Sequence, residues 1–429
     1  MGEQVIRGRL MCPHERERAW TLIEDGALVI DAQGRIERVV DLGEAGVDDA
    51  AAQGYRALPE TCPGAVWMPG FVDTHIHFPQ TMILGSASGE LLPWLERSVF
   101  PEEGKFADVA YAEGVARTFC EAMAEQGTTC ASIFSSSHPG ATEILFRELE
   151  RRGMRGDVGL TLMNRGAPAG LLRDTAEAMA ASETLVTTWH NADGGRLRFR
   201  VTPRFALSCT AELMAAAGAL AERHGLPIQT HISENPHEIT ATLEVFPEAT
   251  DYLNVYERFG LVGERSLFAH GVWLKPREWD ALAHAQCSVA HCPDSNFFLG
   301  SGPMPLKEAR ARDLKLGLGT DIGAGRSFSL RRCCSRAYDA SRLTDSTTDA
   351  AELLWDATRG GAVALGRGDQ IGLLTPGLDA DLVAIVPPVT TPELPLATLC
   401  EHLVFREDHH GVVETRVRGK VVWTSPPLR

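Results

Sequence analysis

The sequence predicts an α/β protein: a (β/α)8 TIM-type barrel over residues 68–370, with a small β-sandwich domain built from residues 1–67 and 371–429. Three observations predict it. The central stretch repeats one design, an amphipathic helix closed by glycine and followed by a strand. Both ends share a different texture of short β pieces and tight turns. The central strands finish in polar residues, at the end where a barrel of this kind carries its active site.

In the N-terminal segment "ALVIDAQGRIERVV" breaks at Gln33-Gly34, and "AVWMPGFVD" leads into a strand ending at His75 and His77. In "FADVAYAEGVARTFCEAMAEQGTTCASIF", Val115, Phe119 and Met123 fall on one helical face. Gly127 then stops the helix and a β-branched run begins. "AELMAAAGALAERHGLPIQTHISE" repeats the design, with a stop at Gly225 and a strand reaching His231. "REWDALAHAQCSVAHCP" and "LKEARARDLKLGLGTD" repeat it again. Such units read as parallel β/α architecture, and the central stretch has room for eight. Their irregular period argues against a solenoid. The C-terminus returns to β texture in "DADLVAIV" and "VVETRVRGKVVWT", where Arg418-Gly419-Lys420 reads as a hairpin turn.

At 429 residues the chain exceeds one simple core, which fits a large domain with a smaller companion. Its 44% hydrophobic and 23% charged residues are ordinary for a soluble globular protein. A net charge of −16 argues against a nucleic-acid partner, and Arg151, Arg152 and Arg155 are expected in solvent. No apolar run is long enough to cross a membrane, and no secretory h-region opens the chain. The ten cysteines include no C-x-x-C pair and read as free thiols, the adjacent Cys333 and Cys334 included. A cytoplasmic setting is expected.

The strand ends carry the chemistry. His75 and His77, two apart in a strand, point the same way. Further strands end at His231, His270 and Asp321. Each would be costly to bury alone, and one by itself reads as a satisfied core residue. Together they suit Zn²⁺ or Fe²⁺ with a position left for water. Glu234, three residues after His231, reads either as a solvated loop acid or as a carboxylate that moves protons beside the site, and the company it keeps favours the second. No lysine lies between Lys105 and Lys275, so the carboxylated lysine that bridges two metals in many barrel hydrolases is missing there. A mononuclear site is favoured, with a Glu or Cys bridge as the alternative. His138, His190 and His291 end no comparable run or lie beyond this set, and are read as structural.

With those residues in place the chain resembles the amidohydrolase superfamily, in its mononuclear aminohydrolase branch, and within it the guanine deaminase family. The superfamily motifs are "PGFVDTHIH", "THISE", "AHG", "GLGTD" and "GLLTPGLDADLV". The narrower ones are "HFPQ", "LLPWLE", "TPRFALS", "HISEN", "HCPDSNFFLGSG" and "GLGTDIGAGRSFS". The resemblance spans essentially the whole chain. It implies one Zn²⁺ per subunit, with Fe²⁺ as the alternative, bound by His75, His77, His231 and Asp321. His270 would hold the attacking water or position the intermediate. Gln80, Arg204 and Phe205 would meet the purine, beside His231, Glu234 and Asp321. Arg204 offers a rigid fork of donors and Phe205 a flat face, although alone they could equally be a structural ion pair and a core ring. The implied reaction is hydrolytic deamination of guanine to xanthine and ammonia, with Asp321, His270 and Glu234 catalytic. A homodimer is implied too. The rivals are a deaminase of another amino-heterocycle (a pterin, 8-oxoguanine or a triazine), an amide or ring hydrolase of the same fold, and a catalytically silent binding protein. Deaminases that act on bases in nucleic acids carry P-C-x-x-C, which this chain lacks, so a free base is the expected substrate.

Overall fold

The computed structural model describes residues 3–44, 50–87, 89–387, 394–406 and 411–426, so parts of the expected terminal segments lie outside the described residues. The chain opens with β1 (Gln4–Pro13), β2 (Trp20–Ile30), β3 (Ile36–Asp41) and β4 (Val66–Pro69). The barrel strands follow: β5 (Phe71–His77), β6 (Thr128–Phe134), β7 (Arg155–Gly159), β8 (Thr161–Leu162), β9 (Leu197–Phe199), β10 (Thr202–Pro203), β11 (Ile228–Ile232), β12 (Ser266–His270), β13 (Ser288–His291) and β14 (Lys315–Leu318). β15 (Leu382–Ile385), β16 (Val412–Val417) and β17 (Lys420–Thr424) complete the set.

Two parallel ladders, β5-β6-β7-β9 and β11-β12-β13-β14, form the barrel wall. The β8-β10 pair and the Val201–Ile228 bridge join them on one side. On the other, Asp321 N donates to His75 O at 2.9 Å and Thr74 Oγ1 to Leu318 O at 2.8 Å. The helix Val109–Glu125 buries Val115, Phe119 and Met123 as its periodicity requires, and Gly127 follows it at φ 79°. Ala211–His224 ends on Gly225 in the left-handed region, where a side chain would be strained. Each fully buried Val, Phe or Met on such a face contributes about 1.5–3 kcal/mol.

The two chain ends combine as expected, through one continuous seven-stranded sheet in the order β17-β16-β15-β4-β1-β2-β3. β4 straddles the expected boundary at residue 67 but pairs wholly with this sheet, so the seam falls at Gly70. Ile6, Leu10, Leu28, Trp67 and Leu382 pack together within the sheet domain. Met11, Val66, Met68 and Val383 instead pack with the barrel-side helices Leu330–Leu343 and Ala350–Trp355. The hairpin turn lies at Arg418 (φ 49°) and Gly419 (φ 69°), both left-handed, as a two-residue primed turn requires. Gly34, in the other expected turn, approaches so closely that a Cβ would lie 2.2 Å from Arg418 O. No disulfide links cysteines among the described residues. No helix among the described residues is long and apolar enough to cross a membrane.

One expectation fails. Arg155 is not in solvent: it opens β7, is fully buried, and pairs with Asp381 (2.8 Å) and Asp379 (2.6 Å) from the segment leading into β15. Sequence proximity to a helix end misled, because Gly153 had already turned the chain into the barrel. Beside it, Asp157 accepts from Arg198 (2.6 Å), Arg200 (2.9 Å) and Arg367 (2.6 Å). Burial would raise the Asp157 carboxyl, but the three guanidinium groups hold it well below the usual carboxylate range. Its stabilisation is therefore complete above the unfolded pKa of about 3.9 and is lost only as pH falls through the much lower folded value. Asp157→Asn should cost about 3–5 kcal/mol by leaving buried guanidinium groups uncompensated. Urea unfolding should show the same lowered midpoint at neutral and mildly alkaline pH.

Candidate active site

At the C-terminal strand ends the five polar residues converge. β5 is bulged: its pairing with β6 slips between Asp73 and Ile76. Val72 therefore packs with Cys130, Leu267 and Ala290, while Ile76 joins Phe119 and Ile133 in another cluster. The bulge re-aims the strand end that carries His75 and His77. Asp321 lies in the turn after β14, which can approach because Gly319 has no Cβ; one there would sit 2.8 Å from His75 Cβ. Asp321 Oδ1 is 3.2 Å from His75 Nε2 and 3.3 Å from His77 Nε2. His77 Nε2 is 3.1 Å from His231 Nε2.

His75, His231, His270 and Asp321 each offer a ligand atom within 4.8 Å of the others, and His77 adjoins them through His231 and Asp321. His231 Nδ1 donates to Arg204 O (2.6 Å) and His270 Nδ1 to Asn296 Oδ1 (2.9 Å), which leaves each Nε2 with a lone pair turned inward. His75 Nε2 and His270 Nε2 are buried without a hydrogen-bond partner among the described residues. Burial lowers the pKa of His75, His77 and His231, so all three are neutral ligands at pH 7. Burial would raise Asp321, but His75, His270 and His77 hold it well below the usual range, and it is anionic. Orphaned imidazole lone pairs around one carboxylate fit a divalent cation.

Glu234 is 2% exposed, not a solvated loop acid. Ser233 before it takes φ 48°, as His270 (75°) and Asp321 (49°) also take left-handed values at their strand ends. Glu238 clamps the turn: its Oε2 accepts from Glu234 N (2.9 Å), and its Oε1 from Tyr252 OH (2.6 Å). Glu234 Oε2 lies 3.4 Å from His270 Nε2. Burial, then the Asp321 and Glu238 carboxylates, push the Glu234 carboxyl well above its ordinary value. Both effects favour its protonated form.

These groups line part of a pocket of about 380 Å³ that is partly open to solvent. Gln80, from the short helix after β5, and Arg204 and Phe205, just after β10, line another part. Leu91, Trp94, Leu95 and Leu299 add flat apolar wall. Every proposed site residue except His75 lines this space, and His75 sits among them in the ligand cluster. His138, His190 and His291 do not line it.

The chain matches the amidohydrolase family over residues 66–422. It belongs to that family. Guanine deaminase of Escherichia coli (strain K12) is 39% identical over 385 residues, covering 88% of this chain and 85% of the relative. A solved E. coli guanine deaminase superposes with TM-score 0.90 at 34% identity, covering 99% of this chain and all of that one. Guanine deaminase from C. acetobutylicum, solved with guanine in its active site, superposes with TM-score 0.89 at 27% identity, over 98% of this chain and all of that one.

Amidohydrolases are typically metal-dependent, and the His/Asp cluster is a group that could hold such an ion. Sequence reasoning missed the groups that hold the cluster. Ser295, which donates to Asp321 Oδ2, and Asn296 lie in the quoted "HCPDSN" run without an assigned role, and Glu238 follows "HISEN" by three residues. In this amidohydrolase His231→Ala should lower bound divalent metal at least about tenfold, while Gln80→Ala leaves it unchanged. Elemental analysis of the purified variants checks both.

Proposed function

We propose that this amidohydrolase deaminates guanine, taking up water and releasing xanthine and ammonia. We take residues 68–370 as its catalytic unit. The carrying observation is the buried Glu234, 3.4 Å from His270 Nε2, set between a histidine-rich cluster around Asp321 and a pocket with polar and apolar lining. The guanine deaminases among its relatives support the choice of substrate.

His75, His77, His231 and Asp321 would hold a divalent cation, zinc first and Fe²⁺ as the alternative, and that ion would make water acidic enough to attack at neutral pH. Asp321 turns Oδ1 toward His75 and His77 and Oδ2 toward His270 at 3.9 Å, so Oδ2 is placed to receive the proton of the attacking water. His270 Nε2, lying between Glu234 and Asp321, accepts a hydrogen bond from that water and holds it beneath the amino-bearing carbon. Glu234 protonates the adjacent ring nitrogen as the new C–O bond forms, which keeps negative charge off the ring. The proton on Asp321 passes to the amino nitrogen, the C–N bond breaks, and ammonia leaves. The remaining hydroxyl proton restores Glu234 as the carbonyl forms. Arg204 meets the ring carbonyl of the purine, and Phe205 with Leu91 and Leu299 encloses its faces. The homodimer rests on the same family reading, and the cytoplasmic setting on the cysteine content of the chain.

Guanine absorbance followed with the zinc-loaded protein should show conversion to xanthine; no conversion, with turnover of another amino-heterocycle, would sink the substrate assignment. Glu234→Gln should lose about 10²–10⁴-fold in turnover with metal retained. Full activity in that variant would remove Glu234 from the mechanism.

A further inference from the structure

Glu103 plays no part in the mechanism above. It closes the short helix Phe100–Glu103 and is 1% exposed. Its Oε2 accepts from Arg204 Nη1 at 2.7 Å, and its Oε1 from Gln80 Nε2 at 3.2 Å. One carboxylate therefore holds both polar groups at the pocket end opposite the metal-ligand cluster. A carboxylate only accepts, so the Gln80 amide must turn its nitrogen to Glu103 and its Oε1 away. Gly323 N, a donor 3.4 Å from that Oε1, agrees with the same orientation. Arg204 is further fixed over the Phe100 ring at 5.6 Å. With Nη1 occupied by Glu103, its other donors remain for the cavity that it lines.

We infer that Glu103 is a positioning residue that sets substrate selectivity, by presenting a fixed donor, Arg204, beside a fixed acceptor, Gln80 Oε1. That pair complements a lactam edge, a ring carbonyl next to a ring N–H. The inference rests on the guanine reading and narrows it to a substrate class: amino-heterocycles with a lactam edge. Guanine has that edge. 2-Aminopurine has the same amino-bearing carbon and lacks both the carbonyl and the N–H. It would leave the two buried groups unpaired, a loss that sites built for hydrogen bonds convert into strong discrimination.

The test compares wild type, Glu103→Gln and Glu103→Asp for bound metal, thermal unfolding, and kcat and KM on guanine, with 2-aminopurine as substrate and as competitive inhibitor. Wild type should prefer guanine by about 10⁴-fold. In Glu103→Gln the new amide can donate to Gln80 and reverse it. That variant should lose about a hundredfold of the preference, chiefly through KM for guanine, while its bound metal and 2-aminopurine affinity stay within about threefold of wild type. Glu103→Asp keeps the charge with a shorter reach and should fall between, and it carries the test if Glu103→Gln does not fold. Equal losses on both compounds, or an unchanged preference in both variants, overturns the role of Glu103 while leaving the deaminase reading intact. A wild type inactive on guanine overturns that reading, and this inference with it.

Discussion

The site depends on one buried carboxylate that closes the barrel. Asp73 lies on the first barrel strand and is 1% exposed. Its Oδ1 accepts from His75 N (3.1 Å) and Thr320 N (3.1 Å), and Oδ2 accepts the Thr320 hydroxyl. A single side chain thus ties the strand carrying His75 and His77 to the turn carrying Asp321. These residues are separated by most of the chain, and only ring closure brings them within hydrogen-bond reach. Burial pushes the Asp73 carboxyl up to about 7, against the opposing pull of those hydrogen bonds. The cluster would lose its geometry before its ligands if this seam opened.

The barrel handles buried polarity in two opposite ways. Around Arg155 and Asp157 opposite charges are paired and most of the buried donors find acceptors, Arg200 Nε excepted. Arg367 reaches Asp157 and Gly195 O, Gln370 bridges Arg155 and Arg367, and Arg198 reaches Leu365 O. That arrangement locks the barrel to the segment leading into the terminal sheet. At the other end imidazole lone pairs face one another, a carboxylic acid is kept protonated beside an anionic one, and three strand ends carry left-handed backbone. Strain and unsatisfied groups of this kind cost stability, of order 1–3 kcal/mol for each such backbone position, and persist where they are used.

Much of this was legible in the chain. The helix–glycine–strand units, the primed turn at Arg418-Gly419 and the polar strand ends all follow from local rules of period, left-handed preference and alternation. What was not legible shares one feature, long sequence separation between partners. Arg155 looked like the tail of a solvated helix because nothing local announces Asp379 and Asp381. Glu103 carries no local signal at all, since its partners Gln80 and Arg204 lie on other barrel segments.

By itself the sequence determined which residue types end which strands, and hence that histidines, a carboxylate and a second acid are available to one another on the same end of a barrel. Only the tertiary structure decided their protonation and direction. The tautomers of His231 and His270 are set by Arg204 O and Asn296, the proton on Glu234 by burial among carboxylates, and the face of Gln80 by Glu103. The reason is physical. Residue identity and spacing act through the local backbone, whereas desolvation and hydrogen-bond direction depend on every element packed around a group, and these meet only once the ring has closed.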